Sequence, residues 1–342
     1  MALVNRKDYL NQLKSVLIGI STKSPVEYSD CFIFSKGMVS TYNYEVACSA
    51  DTGIDIEGTV PAEPLLNLLE RLDDEEVDVF VENGELRVKS GEKLAGIRLA
   101  GQYTLPFDLV ERPKNFVPIS DEMKDAILVT VECCSRSEAH PLLRCIHMAP
   151  TYLEASDDFR IVRYSIQTGL SQSVLAKGQS VEYALKVGAN EMAVTENWLH
   201  FRNPNSVYIS CRRILDQYPE TSKFFEIRGK PLTLPKDLDK AVERALVFWS
   251  ETHKEAVVTV ELSDGKMVVE CSGQYGWYRE PRPSSYQGPH FRFYCAARVL
   301  GELSKRITEC EIASQLLRME SGPILYVSRI AASQDASNGL EV

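Results

Sequence analysis

Catalysis and metal binding need carboxylates, histidines, cysteines or phosphate-cradling glycines held close together, and this chain groups few of them. Paired carboxylates occur at Asp157-Asp158 and in the run Asp73-Asp74-Glu75-Glu76, and such pairs can hold magnesium. The run separates a helix pattern from a strand pattern, where a solvated loop is expected. A metal-dependent hydrolase built on Asp157 and Asp158 would need a third carboxylate and a base beside them. The five histidines, at 140, 147, 200, 253 and 290, are scattered and read as surface or structural residues. The nine cysteines form no CxxC pair and have no histidine at metal-ligand spacing, so reduced, buried thiols are expected. No GxGxxG, GxxxxGK(S/T), HExxH or GxSxG sequence occurs. The standard phosphate cradle, zinc helix and nucleophile elbow are therefore missing. The expectation is a non-catalytic protein with no metal and no cofactor.

The elements that would position any site follow a repeat. Six segments carry apolar residues at helical spacing: 5–18 with Leu10, Leu13 and Leu17; 61–72 with Leu65, Leu68, Leu69 and Leu72; and 120–137 with Met123, Ile127 and Val131. The others are 174–186 with Val174, Val181 and Leu185; 235–249 with Leu238, Val242 and Ala245; and 296–307 with Val299, Leu303 and Ile307. Alternate segments recur at a period of about 115 residues, which marks repeated modules. Between them lie alternating runs punctuated by turn residues. Val77 to Val81 and Leu86 to Val88 flank Asn83-Gly84; Val258 to Leu262 and Met267 to Val269 flank Asp264-Gly265; and Cys31 to Phe34 runs into Lys36-Gly37. The unit is one helix plus several strands, used twice per module.

The 342 residues fit three modules. Polar stretches at Arg112 to Asn115 and Arg228 to Pro231 place the boundaries, giving domains at 1–113, 114–229 and 230–331 and a disordered tail at 332–342. Hydrophobic residues at 44% and charged residues at 25% are ordinary for a folded chain. A charged start and no run of apolar residues long enough to span a bilayer point to a cytoplasmic protein with no membrane partner. The net charge of −10 means that a nucleic acid would have to meet a locally basic face.

The order of helices and hairpins resembles the bacterial DNA polymerase III beta subunit family, the DNA sliding clamp, of which this chain would be a divergent member. Val60-Pro61-Ala62, Asp74-Glu75-Glu76-Val77 and Asn83 to Gly91 look like the second half of that family's first domain. Ser156-Asp157-Asp158-Phe159-Arg160-Ile161 is similar to its Thr-Asp-Gly-His-Arg-Leu, and Arg213 to Pro219 resembles its Leu-Ile-x-Gly-x-Phe-Pro. The resemblance implies an α+β fold of three repeated DNA-clamp domains, each with two helices packed on antiparallel sheets. It further implies a head-to-tail homodimer closing a ring around double-stranded DNA without reading its sequence. Such a processivity factor serves DNA replication by tethering the replicative polymerase, and a clamp-loader ATPase opens it. The edges expected to pair between copies lie around Val77 to Val81 and Leu94 to Leu99 against Val247 to Val260.

Twelve helices would line the hole of that ring. The six segments carry a net charge near +2 against −10 for the whole chain, the sign that enclosed duplex requires. The cations expected to face DNA are Arg6, Lys7, Lys14, Lys23 and Arg71 in the first third. Lys124, Arg136, Lys177 and Lys186 follow in the second, and Lys236, Lys240, Arg244, Arg298, Lys305 and Arg306 in the third. The family also docks partner peptides in an apolar cleft. By motif, that cleft would comprise Leu143, Ser156, Phe159, Arg160 and Ile161 with Val327 and Arg329. Asp158 stands where the family has Gly, Phe159 where it has His, and Ser328-Arg329-Ile330 where it closes on Met-Pro, so a different peptide preference is expected. The alternative is a clamp-fold peptide-binding adaptor or decoy that does not encircle DNA.

Overall fold

The computed structural model describes residues 2–101, 110–204, 206–249, 256–313, 315–329 and 331–332. Seven helices are present among them: α1 (Arg6–Ser15), α2 (Ala62–Arg71), α3 (Asp121–Val131), α4 (Gly178–Lys186), α5 (Ser222–Phe225), α6 (Leu238–Leu246) and α7 (Ala297–Ser304). Six fall inside the periodic segments. Four of the helices grow directly out of a strand, which is why segment 174–186 begins four residues before α4. Asn5, Pro61, Lys177 and Ala296, the residues before α1, α2, α4 and α7, share φ between −67 and −52 and ψ between 117 and 127. The same strand-to-helix corner is thus built four times. At the first, the Asn5 side chain accepts from the N–H groups of Lys7 and Asp8 at 3.0 and 3.2 Å, satisfying two orphan donors.

The chain divides into two compact units, one formed by Met1–Ile127 with Val174–Asp216 and the other by Leu128–Ser173 with Gln217–Val342. The middle third contributes to both, so the units cut across the three segments read from the repeat. Sheet pairing explains why. In the first unit an antiparallel sheet runs in the order Gly58–Pro61, Cys31–Ser35, Met38–Tyr42, Val46–Asp51, Tyr208–Arg212, Trp198–Arg202, Glu191–Val194 and Val117–Pro118. Its joint sets Cys211 opposite Val46 and Tyr208 opposite Ser49, binding the first third to the second. In the second unit Cys145–Met148, Tyr152–Ser156, Arg160–Ser165, Ile324–Arg329, Leu316–Ser321, Glu309–Ala313 and Lys230–Thr233 are successive neighbours. There Arg160 lies opposite Ser328 and Tyr164 opposite Ile324, binding the second third to the last.

Each unit also carries a separate sheet. The first has Ala2–Asn5, Glu76–Glu82, Glu85–Ser90 and Lys93–Arg98 in that order; the second has Gly276–Pro283, Lys266–Gly273, Val257–Ser263, Phe291–Ala296 and Ala331–Ala332. This order corrects two of the expected edges, since Glu76–Glu82 and Val257–Ser263 are interior strands, and keeps the third, since Leu94 to Arg98 lie on the edge strand Lys93–Arg98; the other edges of these two sheets are Ala2–Asn5, Gly276–Pro283 and Ala331–Ala332. Ala331 and Ala332 pair with Tyr294 and Phe293, so the fold runs one residue past the expected end of the third domain. The expected disorder at 333–342 lies outside the described residues. Lys230 and Pro231, read as linker, begin a strand paired with Glu311 and Ile312.

The helical stripes fill the cores. Tyr9, Leu10 and Leu13 of α1 and Leu65 and Leu69 of α2 are buried in the first unit, as are Leu238, Val242 and Ala245 of α6 and Leu300 and Leu303 of α7 in the second. Close approach also fixes the end of the Lys266–Gly273 strand: a Cβ at Gly273 would lie 1.9 Å from the Phe248 carbonyl oxygen. All nine cysteines are free; eight are buried and Cys134 is half-buried. Burial pushes the Cys211 thiol up to about 12, which leaves it protonated and inert. No described helix is long and apolar enough to cross a membrane.

Candidate functional site

Six of the seven residues expected to form a partner cleft, all but Leu143, lie on one turn and the sheet joint behind it. The Asp157 carboxylate accepts from the N–H groups of Phe159 and Arg160 at 3.2 and 3.1 Å, and its second oxygen lies 2.7 Å from Arg160 Nε. Ser156 Oγ donates to the Arg160 carbonyl at 2.8 Å. Asp158 takes φ +75, the left-handed region that explains the family's Gly at this place. A short polar side chain tolerates that conformation better than most. The turn directs Phe159 outward, 50% exposed. The Arg329 N–H closes onto the Phe159 carbonyl at 2.6 Å, so Phe159 and the exposed Arg329 are neighbours across the joint.

Behind the turn, Ile161 lies opposite Val327. Both are buried and pack with Phe225 of α5, while Ile227, Leu316 and Leu325 close around them. Leu143 and Arg160 are buried as well. Phe159 and Arg329 are therefore the residues of this set that present side chains to solvent, Ser156 is half-buried, Ile161 and Val327 form the floor, Arg160 is tied to Asp157, and Leu143 is a buried residue outside that cluster.

A charged clamp holds α5 there. Arg163 Nε lies 2.6 Å from the buried Glu154 carboxylate, and the Thr221 hydroxyl donates to the other Glu154 oxygen at 2.7 Å. The Arg163 guanidinium lies over the rings of Tyr152 and Phe225, 4.5 and 4.6 Å from their centroids. Burial raises the Glu154 pKa, opposed by Thr221 and Arg163. The sequence reading missed α5 and Phe225; the only local signal is Thr221-Ser222-Lys223-Phe224-Phe225, a run too short for helical periodicity to register.

The turn also bears on the hydrolase alternative. The Asp157 carboxylate already serves two N–H groups and a guanidinium, and Asp158 lies 3.5 Å from His140 Nε2. No group of three metal-ligating side chains occurs among the described residues.

The cations expected to face DNA fall into distinct classes. Arg6 is 9% exposed, and its guanidinium donates to the carbonyls of Leu69 and Asp74 at 2.8 and 2.9 Å, satisfying the C-terminal end of α2. That is a scaffold role. Eight others pair with carboxylates. Lys14 meets Glu70 at 2.7 Å, Lys124 Asp121 at 3.1 Å, Lys177 Glu45 at 2.6 Å and Lys186 Glu182 at 2.6 Å. Lys240 meets Asp237 at 2.8 Å, Arg244 Glu280 at 2.8 Å and Lys305 Glu243 at 3.9 Å, and Arg298 pairs with Glu132. Arg306 is exposed. Lys7, Lys23, Arg71, Arg136 and Lys236 are exposed and make no ion pair among the described residues.

Neither the protein-family models nor the curated proteins include a match to this sequence. Solved structures do match in fold. The DNA polymerase sliding clamp of Bacillus subtilis superposes with a TM-score of 0.72 at 16% identity over 96% of this chain and 98% of its own. The griselimycin-bound sliding clamp of Bartonella birtlesii gives 0.74 at 15% over the same shares. The DNA polymerase III beta subunit of Thermotoga maritima gives 0.72 at 16%, again over 96% and 98%. Helices, antiparallel sheets and chain length correspond end to end, and this chain has the α+β fold of the bacterial DNA sliding clamps.

Proposed function

We propose that this protein is a non-catalytic DNA sliding clamp. Three modules at 1–113, 114–229 and 230–331, paired in two copies, would close a ring that holds duplex by enclosure and tethers a replicative polymerase. The end-to-end likeness to solved clamps carries the reading. The repeated strand-to-helix corners add support, since a ring of equivalent modules needs one building unit. Weak, sequence-independent contacts suit such a ring, because many tight phosphate contacts would pin it. Exposed Lys7, Lys23, Arg71, Arg136 and Lys236 would supply part of that field, and the paired cations would release carboxylates as phosphate approaches. The turn bearing Phe159, with Arg329 beside it, would take the partner's peptide over the Ile161, Val327 and Phe225 floor.

The test is topological. After treatment with a clamp loader and ATP, the protein is expected to stay on nicked circular DNA through gel filtration and to leave when the circle is cut. The extent of cation pairing favours one second reading, a clamp-fold adaptor that binds peptide without encircling DNA. Peptide binding with no retention on circles would select it.

A further inference from the structure

The main-chain pairing that seats Arg329 beside Phe159 in the second unit has a counterpart in the first. There the Arg212 N–H donates to the Glu45 carbonyl at 2.8 Å, and Arg212 lies opposite Trp198 on the neighbouring strand. In the second unit the Arg329 N–H donates to the Phe159 carbonyl at 2.6 Å, and Arg329 lies opposite Leu316. Arg329 thus holds the place of Arg212 and Phe159 that of Glu45. One residue earlier, Asp158 holds the place of Tyr44, and both take φ +75.

The first unit shows how a guanidinium at this place is satisfied. Arg212 lies over the rings of Tyr44 and Trp198, 4.1 and 4.9 Å from their centroids, and its Nε donates to the Tyr44 carbonyl at 3.0 Å. No carboxylate meets it among the described residues. Around Arg329 both rings are replaced, Tyr44 by the short Asp158 and Trp198 by the aliphatic Leu316. The Arg329 side chain is exposed and makes no hydrogen bond, ion pair or ring contact among the described residues. Alternation along its strand puts Arg329 on the face that carries Val327, so this cation stands at the border of the floor formed by Ile161, Val327 and Phe225.

We propose that Arg329 is a specificity residue of the docking site, and that the partner's peptide supplies an aromatic side chain to its guanidinium, as Tyr44 and Trp198 do for Arg212. This role of Arg329 rests on the peptide-docking reading and adds the chemistry of the peptide: an apolar side chain for the floor and, close to it in sequence, an aromatic ring. A planar guanidinium stacks on such a ring and is more weakly hydrated than an ammonium. The rings around Arg212 favour an aromatic partner over an acidic one.

Three blocked tripeptides test it, acetyl-Leu-Ser-Trp-amide and its counterparts ending in Leu or Asp, titrated against the full-length protein and followed by saturation-transfer NMR. The tryptophan peptide is expected to bind about fivefold more tightly than the leucine peptide, the effect of one exposed cation–ring contact. Arg329→Leu is expected to erase that ratio, and Arg329→Lys to keep part of it, since lysine retains the charge without the planar face. Arg329 is exposed, so both variants are expected to melt as the unaltered protein does by circular dichroism. Leu316→Trp installs the first unit's ring beside Arg329 and is expected to bring the tryptophan peptide down to the affinity of the leucine peptide. Equal binding of those two by the unaltered protein, a ratio that survives Arg329→Leu, or tightest binding of the aspartate peptide overturns the aromatic role of Arg329 and leaves peptide docking standing. Failure of all three peptides to bind overturns both.

Discussion

The turn at Asn43 in the first unit and the turn at Asp157 in the second are two copies of one design. Asn43 Oδ1 accepts from Glu45 and Val46 N–H at 3.1 and 2.9 Å, as Asp157 Oδ1 does from Phe159 and Arg160 at 3.2 and 3.1 Å. Tyr44 and Asp158 both sit at φ +75. Arg212 N–H closes on the Glu45 carbonyl at 2.8 Å, and Arg329 N–H on that of Phe159 at 2.6 Å. The backbones agree and the side chains do not. In the first unit the chain occupies its own turn: the Arg212 guanidinium lies 4.1 Å from the Tyr44 ring centroid and 4.9 Å from that of Trp198, and Glu45 is held by Lys177 at 2.6 Å. In the second, Phe159 and Arg329 are left to solvent over an apolar floor. The proposed site lies where the repeated turn departs from itself, because the shared part is already explained by folding.

Breaking the supports should separate the two joints most. Arg163→Ala leaves the buried Glu154 without its cation and is expected to cost about 3 kcal/mol in chemical denaturation. Arg212→Ala in the first unit, which strands no charge, is expected to cost about 1 kcal/mol. Equal losses would mean that the clamp on α5 is no stronger than a surface stacking contact.

Acid should act on the joints in opposite senses. His200, buried between Thr195 and Ser210 at 2.9 and 2.8 Å, is lowered by burial from 6.5 to about 4, against a weaker upward pull from Glu111. The unfolded chain binds this proton first, so the stability is complete above about pH 6.5 and is lost toward pH 4, by about 3 kcal/mol. Glu154 is raised instead, so its contribution is complete below its ordinary 4.5 and is lost as pH rises through its folded value. His200→Gln should flatten stability between pH 6.5 and 4, and Glu154→Gln should steepen it; denaturation midpoints across that range measure both.

Phe159→Glu copies the first unit's turn into the second. Binding of a polymerase-derived peptide, followed by calorimetry, is expected to weaken about tenfold, while stability moves by less than about 0.5 kcal/mol because the ring is half exposed. Unchanged binding would remove this turn from the site. The smallest effect concerns the left-handed residues. Asp158→Gly should stabilise by up to about 1 kcal/mol, whereas Tyr44→Gly should come out near zero, because the relief of strain is offset by the lost Arg212 stacking.

Helices and tight turns were legible from local chemistry. A 3.6-residue period marks a buried stripe wherever the helix packs, and turns such as Asn83-Gly84 and Asp264-Gly265 declare their positive φ through residue type, with φ of 51, 75 and 69 at Asn83, Gly84 and Gly265. Even the turn at Asp157 is written in its Asx residue. The amino-acid sequence by itself thus determined the element types and the local turns. Tertiary structure alone decided that Glu76–Glu82 is interior and Gly276–Pro283 an edge, since an alternating pattern states which face is buried and never which strand lies alongside. It also decided that Arg6 is scaffold, that eight of the expected DNA-facing cations hold carboxylates, and that Phe225 completes the floor. Those outcomes depend on distances between residues far apart in the chain, and a charge or a ring carries no local sign of the partner that folding will bring to it.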